Sequence, residues 1–299
     1  MMEKKTILEA FPTYKIKKDE QLAKHTNTRV GGPADYAFWP QSLAELSAVV
    51  DYARQMNLSI TVLGNASNLI ITDEGLRGLV IFLAELKQIT VNEHEIRAEA
   101  GAMIIDLAQV AQEHALSGLE WAAGIPGSVG GAVYMNAGAY GGQIDGCLTT
   151  AEILTRDGQI QTLTNAELDF GYRHSSVQDT GAILLAATFT LRPAKSEQIL
   201  AQMEDFNERR ASRQPLEFPS CGSVFKRPVG HFAGKLIMDA GLQGYQIGGA
   251  QVSTKHAGFI INVGQASGAD YVAVIKHVQA VVQAKFGVNL ETEVRILGE

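Results

Sequence analysis

Residues 124–142, GIPGSVGGAVYMNAGAYGG, hold seven glycines and one proline in nineteen positions, with no lysine, arginine, aspartate or glutamate. Such a stretch brings main chain close to something, because glycine admits positive φ and lacks the Cβ that would hold a neighbour away. Successive amides in such a run form an anion-binding concavity without formal charge. The expected guest is a phosphorylated cofactor. A flexible linker is the competing reading, but linkers are rich in serine and charge, whereas Ile125, Val129, Val133, Tyr134 and Met135 have the character to pack inside.

The rest of the composition narrows the classes. The 299 residues, 46% of them hydrophobic, are enough for two or three packed units. Neither a leader-type apolar run near the N-terminus nor a segment of membrane-spanning length is visible, so a cytoplasmic location without membrane insertion is expected. Cys147 and Cys221 are too few and too isolated for a disulfide framework and are expected to be inert packing thiols. A net charge of −7 argues against bulk attraction to nucleic acid. An anionic ligand must then be held locally, and Arg209, Arg210, Arg213, Lys226 and Arg227 form a basic segment interrupted by one acid, Glu217. Arg209 and Arg210 are expected on a solvated helix face.

Helix and strand signals alternate along the chain. Ser42 with Glu45 reads as a capping box before a helix that runs to Met56. Ser59–Leu63, Leu69–Ile71, Gly78–Leu83, Glu95–Ala100 and Ala182–Leu191 read as strands, and Met103–Ala115 as a helix. Asp157-Gly158 predicts a hairpin between Ala151–Thr155 and Gln159–Leu163. The helix Ser196–Arg210 leads into a Pro-punctuated segment, Gln214–Pro219, the best candidate for a boundary. Beyond it, Lys235–Ala240 and Ser267–Phe286 are predicted helices, the second stopped by Gly287, and Gly258–Asn262 and Val294–Leu297 are predicted strands.

Common nucleotide and metal motifs are missing. There is no Walker-type GxxxxGKS/T, no GxGxxG after a strand, no HExxH and no paired CxxC, and the seven histidines show no metal-ligand spacing. Two loops matter together instead: Gly64-Asn65-Ala66-Ser67-Asn68-Leu69 after a strand, and the glycine-rich run ending Asn136-Ala137-Gly138-Ala139-Tyr140-Gly141. Their combination resembles the FAD-binding domain of the p-cresol methylhydroxylase and vanillyl-alcohol oxidase type. With Asn27–Pro33 (NTRVGGP), Gly171-Tyr172-Arg173, Gly222–Lys226 (GSVFK) and Glu291–Arg295 (ETEVR) added in order, nearly the whole chain resembles the UDP-N-acetylenolpyruvoylglucosamine reductase family. The likeness is to its second type, because the tyrosine-bearing insertion after Gly-Tyr-Arg is lacking. Ala66 stands where the family often has Gly, and Arg227 where Asn commonly follows the Lys.

The resemblance implies an α+β fold: an FAD-binding domain in two α/β lobes, residues 1–80 and 81–195, then a C-terminal α+β substrate-binding domain, 196–299, whose last strand returns toward the flavin site. It implies NADPH-dependent reduction of UDP-N-acetylglucosamine enolpyruvate to UDP-N-acetylmuramate, in peptidoglycan precursor synthesis, by a cytoplasmic monomer. A flavin-linked alcohol or sugar oxidase and an inactive nucleotide-sugar-binding regulator are the alternatives. Non-covalent FAD would be held by Arg29, Gly31, Gly64, Asn65, Ala66, Ser67, Asn68, Leu69, Gly124, Pro126, Gly127, Ser128, Gly130, Gly131, Asn136, Gly138 and Tyr140, chiefly through amides and the Ser67 and Ser128 hydroxyls. Neither loop contains the His or Cys through which relatives attach flavin covalently.

Arg173, Ser223 and Glu293 match the family's catalytic positions. The implied roles are stabilisation of charge on the substrate carboxylate by Arg173, protonation of C2 by Ser223, and polarisation by a Glu293 that donates rather than repels. Glu291 lies two residues away on the same strand face, so spacing leaves the two acids open and the motif selects Glu293. Arg213, Lys226, Arg227, Tyr245 and His256 are the expected substrate contacts. No metal is expected.

Overall fold

The predicted strands assemble, in the computed structural model, around two separate apolar cores; residues 5–298 are described. One unit takes residues 5–18, Asp35–Asn65 and Gly78–Glu208, and the other takes Asp19–Ala34, Ala66–Arg77 and the chain from Arg209 onward.

In the first unit an antiparallel sheet runs in the order Ile160–Thr164, Leu148–Leu154, Ile183–Thr190, Glu95–Glu99, Ile89–Asn92. Its Asp157-Gly158 turn closes as expected, Thr155 N donating to Gln159 O at 2.9 Å. The helices Leu43–Gln55 and Ile104–Glu113 bury Leu46, Val49, Val50, Ile104, Leu107 and Ala111 at helical spacing in the same core. Each large apolar side chain so buried contributes about 1.5–3 kcal/mol. The capping box at the first helix is only half formed: Ser42 Oγ accepts from Glu45 N at 3.2 Å, but the Glu45 carboxylate reaches Gln41 N at 2.9 Å.

The glycine-rich run is not loop throughout. Val129–Tyr134 is a short helix capped by Ser128 Oγ, which accepts from Gly131 N at 3.2 Å. The amides of Val129 and Gly130 donate to Ala102 O and Ala100 O, both at 2.8 Å, so these two are spent inside the protein. Gly130 has no positive φ and is buried, and a Cβ there would come within 2.9 Å of the Ala100 Cβ. Its smallness serves packing between helix and sheet.

In the second unit the antiparallel order is Ser220–Ser223, Phe259–Asn262, Ala250–Val252, Gln246–Ile247. The helix Gly268–Phe286 buries Tyr271, Val274, Ile275, Val278 and Val282 in the core that also holds Ala250, Val252 and Ile260. Gly287, with φ 69°, ends it as predicted. At its start Ser267 and Asp270 form a complete capping box, and the Asp73 carboxylate accepts from Gly268 N at 3.0 Å and Ala269 N at 3.1 Å. The Arg295–Leu297 strand pairs in parallel with Leu69–Ile71. Asn262 Nδ2 donates to Thr28 O at 3.0 Å, which fixes the 27–33 segment to this sheet. The Cys221 thiol is buried, and burial pushes its pKa up to about 12, consistent with packing rather than reactivity.

The cap at Asp270 is testable through pH. Its carboxylate is held below the ordinary aspartate value, first by the Ser267 N–H. Its stabilisation is therefore complete above the ordinary value and is lost as pH falls through the lower folded value. Asp270→Asn is expected to cost about 1 kcal/mol near neutral pH, read as a lower urea midpoint of the helical signal. That gap from wild type should close on acidification; a gap of constant size would take the carboxylate out of the account.

Candidate active site

The Gly64–Leu69 turn follows the Ile60–Leu63 strand. Asn65 Nδ2 donates to Pro126 O at 2.8 Å, tying it to the glycine-rich run. A Cβ on Gly64 would collide with Ser128 Oγ, which is buried and already engaged as the helix cap. The two loops thus touch main chain to side chain, and only glycine fits at 64. Ala66 has φ +45° and is buried. That left-handed conformation is the physical reason glycine would suit this position.

Ser223 and Glu293 are brought together. Ser223 ends its strand at an irregular register, with Ser220 opposite Ile261 and Ser223 opposite Phe259. Three residues there span two on the partner, and Gly222 at φ +75° takes up the difference, as glycine does in a bulge that re-aims a side chain. Ser223 is exposed. Glu293 N donates to Val224 O at 2.7 Å, Phe225 bridges Thr292, and Lys226 N donates to Glu291 O at 2.9 Å. On its other side the same segment meets the Gly64–Leu69 turn, Asn68 Nδ2 donating to Glu293 O at 3.2 Å and Arg295 N to Asn68 O at 3.1 Å. The two acids that spacing left open are distinguished by environment: Glu291 is exposed and pairs with Lys226 Nζ at 3.3 Å, whereas Glu293 is half-buried.

Arg173 lies in the first unit on a tight Gly171–His174 turn, half-buried, with φ +57°. Its guanidinium donates to Gly138 O at 3.2 Å and Asn136 O at 3.5 Å. Asn136, expected at the cofactor, is 1% exposed and spends its amide inside the protein: Nδ2 donates to Gly171 O at 3.0 Å and Asp145 Oδ2 at 3.2 Å, and Oδ1 accepts from Asp145 N. Tyr140 is partly exposed and stacks on Phe206 at 4.6 Å between ring centroids.

The expected substrate contacts scatter more. Lys226 is held by Glu291, and Arg227 lies over the Phe232 ring at 4.1 Å. Arg213 is exposed at the end of the Ser196–Arg213 helix. Arg210 corrects the expectation of a solvated face, being half-buried with its Nε enclosed, whereas Arg209 is exposed. Tyr245 stacks on His277 of the long helix at 3.9 Å. His256 lies edge-on to Phe259, the residue paired with Ser223. Burial holds its imidazole below the ordinary histidine value, and Nδ1 accepts from Gly258 N at 3.2 Å, which leaves its proton on Nε2.

The residues that sequence reasoning passed over are Thr28, Ser175 and Gln178. Thr28 is fully buried and its hydroxyl has no hydrogen-bond partner among the described residues. Ser175 Oγ and Gln178 Nε2 both donate to Tyr134 O, at 2.9 and 2.7 Å. The signals that mark them are that Thr28 lies inside the Asn-Thr-Arg motif and that Ser175 and Gln178 closely follow Gly-Tyr-Arg.

Residues 34–164 match the FAD binding domain, so the class is a flavoprotein with an FAD-binding domain joined to a second α+β part. Residues 214–297 match the UDP-N-acetylenolpyruvoylglucosamine reductase C-terminal domain. The reductase of that name from Levilactobacillus brevis is 60% identical over 98% of this chain and 96% of its own, and that from Pediococcus pentosaceus is 58% identical over 98% of each. The crystal structure of the Thermus caldophilus enzyme of that name covers 95% of this chain and 100% of its own, at 34% identity and a TM-score of 0.83. The chain belongs to the UDP-N-acetylenolpyruvoylglucosamine reductase family.

The two substitutions in the flavin turn should act oppositely. Gly64→Ala forces a methyl against the Ser128 hydroxyl and is expected to cost about 1–3 kcal/mol, with yellow flavin lost from the purified protein. Ala66→Gly removes a left-handed alanine and should leave the flavin content intact and the Tm equal or higher. A Gly64→Ala protein as stable and as yellow as wild type would mean that the loops part without cost.

Proposed function

We propose that the chain reduces UDP-N-acetylglucosamine enolpyruvate to UDP-N-acetylmuramate with NADPH as hydride donor, through non-covalently bound FAD. The observation that carries this reading is the exposed Ser223 on its bulge, joined by main-chain bonds to the Glu293 segment, which in turn is bonded to the flavin turn at Asn68. A buried hydroxyl without a partner costs about 1–3 kcal/mol, and that of Thr28, within the motif implied to hold the flavin, suits a group supplied by the cofactor. When bound, FAD would supply two-electron chemistry, accepting hydride from NADPH and releasing it to the enolpyruvyl carbon.

The chain's own residues do the rest. Hydride arriving at C3 of the enolpyruvyl group drives negative charge onto C2 and the attached carboxylate. The guanidinium of Arg173 is permanently charged and suited to a bidentate carboxylate contact, so it stabilises that charge without reorganisation. Glu293 assists when its carboxyl donates a hydrogen bond. The Ser223 hydroxyl gives its proton to C2, which serine can do toward a strongly basic centre in contact with it.

Arg213 and Lys226 hold the diphosphate, Lys226 exchanging its Glu291 partner for a phosphate oxygen, with Arg227, Tyr245 and His256 beside them. Under this reading residues 1–80 and 81–195 are the flavin lobes and 196–299 take the substrate, a division by ligand rather than by packing. No helix among the described residues is long and apolar enough to cross a membrane; action as a cytoplasmic monomer belongs to the same reading.

Anaerobic mixing separates the two half-reactions. Ser223→Ala is expected to bind FAD and bleach with NADPH at a near-normal rate, while reoxidation by the enolpyruvyl substrate slows by roughly 10²–10⁴-fold. Equal slowing of both halves would assign Ser223 to structure. Lys226→Ala should raise KM for the UDP-sugar more than it lowers kcat, because the diphosphate is bound alike in ground and transition states; an unchanged KM would leave Lys226 a surface residue.

A further inference from the structure

Arginine does not hold a left-handed backbone by itself; the conformation at Arg173, φ +57°, costs about 1–2 kcal/mol. Something must over-determine the turn. Reciprocal bonds between Gly171 and His174, at 3.1 and 3.3 Å, close it. They fix its shape and not its place.

The place is set by the chain that leaves the glycine-rich helix. Asn136 Nδ2 donates to Gly171 O on the entering side of the turn, at 3.0 Å. Gln178 Nε2 donates to Arg173 O at 3.0 Å and to Tyr134 O at 2.7 Å, so one amide group bridges the arginine and the end of the helix. Ser175 Oγ is a second side-chain donor to Tyr134 O. The guanidinium closes the circle by donating to Asn136 O and Gly138 O. Asn136 is itself immobilised, since Asp145 accepts from its Nδ2 and donates to its Oδ1, and Gln143 Nε2 holds the same Asp145 carboxylate at 2.7 Å. With both amide hydrogens committed and 1% exposure, Asn136 is built to orient a neighbour rather than to meet a ligand.

We propose that Asn136 and Gln178 are positioning residues for Arg173, locking the arginine turn onto the end of the glycine-rich helix so that the segment implied to approach the flavin also sets the guanidinium. The proposal rests on the role given to Arg173 above. A carboxylate-binding fork is useful only when aimed, and a displacement of about 1 Å can cost on the order of 10²-fold in rate.

The test is a double-mutant cycle read in half-reactions. Gln178→Met keeps the length of the side chain, removes both donated bonds, and lies on a short half-exposed helix, Val177–Thr180, where folding tolerates it. It is expected to retain flavin and to be reduced by NADPH within about twofold of wild type, while reoxidation by UDP-N-acetylglucosamine enolpyruvate slows by about 10- to 100-fold. Asn136→Asp, which cannot donate to Gly171 O, should change the same step in the same direction. In an Arg173→Ala background, adding Gln178→Met should alter reoxidation by less than about twofold, because the group it orients is gone.

Full slowing in that background, loss of flavin from Gln178→Met, or normal reoxidation in Gln178→Met would each overturn the proposal. Fast reoxidation in Arg173→Ala alone is a different failure, since it removes Arg173 from the mechanism.

Discussion

One segment, residues 291–297, ties the strand end at Ser223 to the turn at Asn68 by hydrogen-bonding on both sides. On one side Glu293 N and Lys226 N make main-chain bonds with the Val224 and Glu291 carbonyls; on the other Arg295 N, Asn68 Nδ2 and the parallel Leu69–Ile71 ladder tie it to the turn at Asn68. Three stretches spread over more than two hundred positions of chain meet through it. Remove it and the carboxylate of Glu293, the strand end carrying Ser223 and the turn at Asn68 lose their common reference. Because the segment contributes only main-chain groups to these bonds, most substitutions within it leave them intact, and the Glu291 and Glu293 side chains are not needed to make them.

The glycine-rich run shows how one composition serves two demands. Read from sequence, it was a loop for close approach to a ligand. In the fold, part of that closeness is internal: Gly130 lies against Ala100, Gly64 leaves room for Ser128, and the Val129 and Gly130 amides bond to the 100–102 chain. Glycine content reports that main chain comes near something, and nothing in a sequence says whether that something is a cofactor or another strand. The short helix was hidden for the same reason, since two glycines in six residues oppose helix formation locally and burial of Val129, Ala132 and Val133 overrides them.

Elsewhere the local signals were strong enough to read. The Asp157-Gly158 hairpin, the 43–55 and 104–113 helices and the Gly287 stop each combine periodicity with a terminal residue of defined conformation, and each lies within a few residues of its expected place. The family was legible because six short strings occur in one order. The hydrogen bonds around Arg173 were not. Asn136 was read as a cofactor contact and Ser175 and Gln178 were passed over, because their bonds to Gly171 and Tyr134 span thirty to forty-five positions of chain and a single amide or hydroxyl leaves no periodic trace. The choice between Glu291 and Glu293 likewise depends on exposure, which a strand's alternation cannot supply when both face the same way.

Backbone strain occurs in several of the same places. Of the eleven described non-glycine residues with positive φ, five (Arg29, Ala66, Asn136, Tyr140 and Arg173) lie in stretches singled out by a motif, and the other six lie elsewhere. Asparagine tolerates the conformation; alanine, tyrosine and arginine each give up about 1–2 kcal/mol to it. A chain keeps such residues only where surrounding contacts over-determine the turn. At Arg173 those contacts are on view: reciprocal bonds within the turn, two side-chain amides holding it from outside, and two carbonyls receiving the guanidinium. Glycine at 173 would relieve the backbone and lose the cation together with its bonds to the Asn136 and Gly138 carbonyls. Strain and charge are therefore bound to one residue, and the stability needed to hold them is drawn from the apolar core of the first unit, in which Val133 and Val177, on the two segments joined at the turn, are both buried.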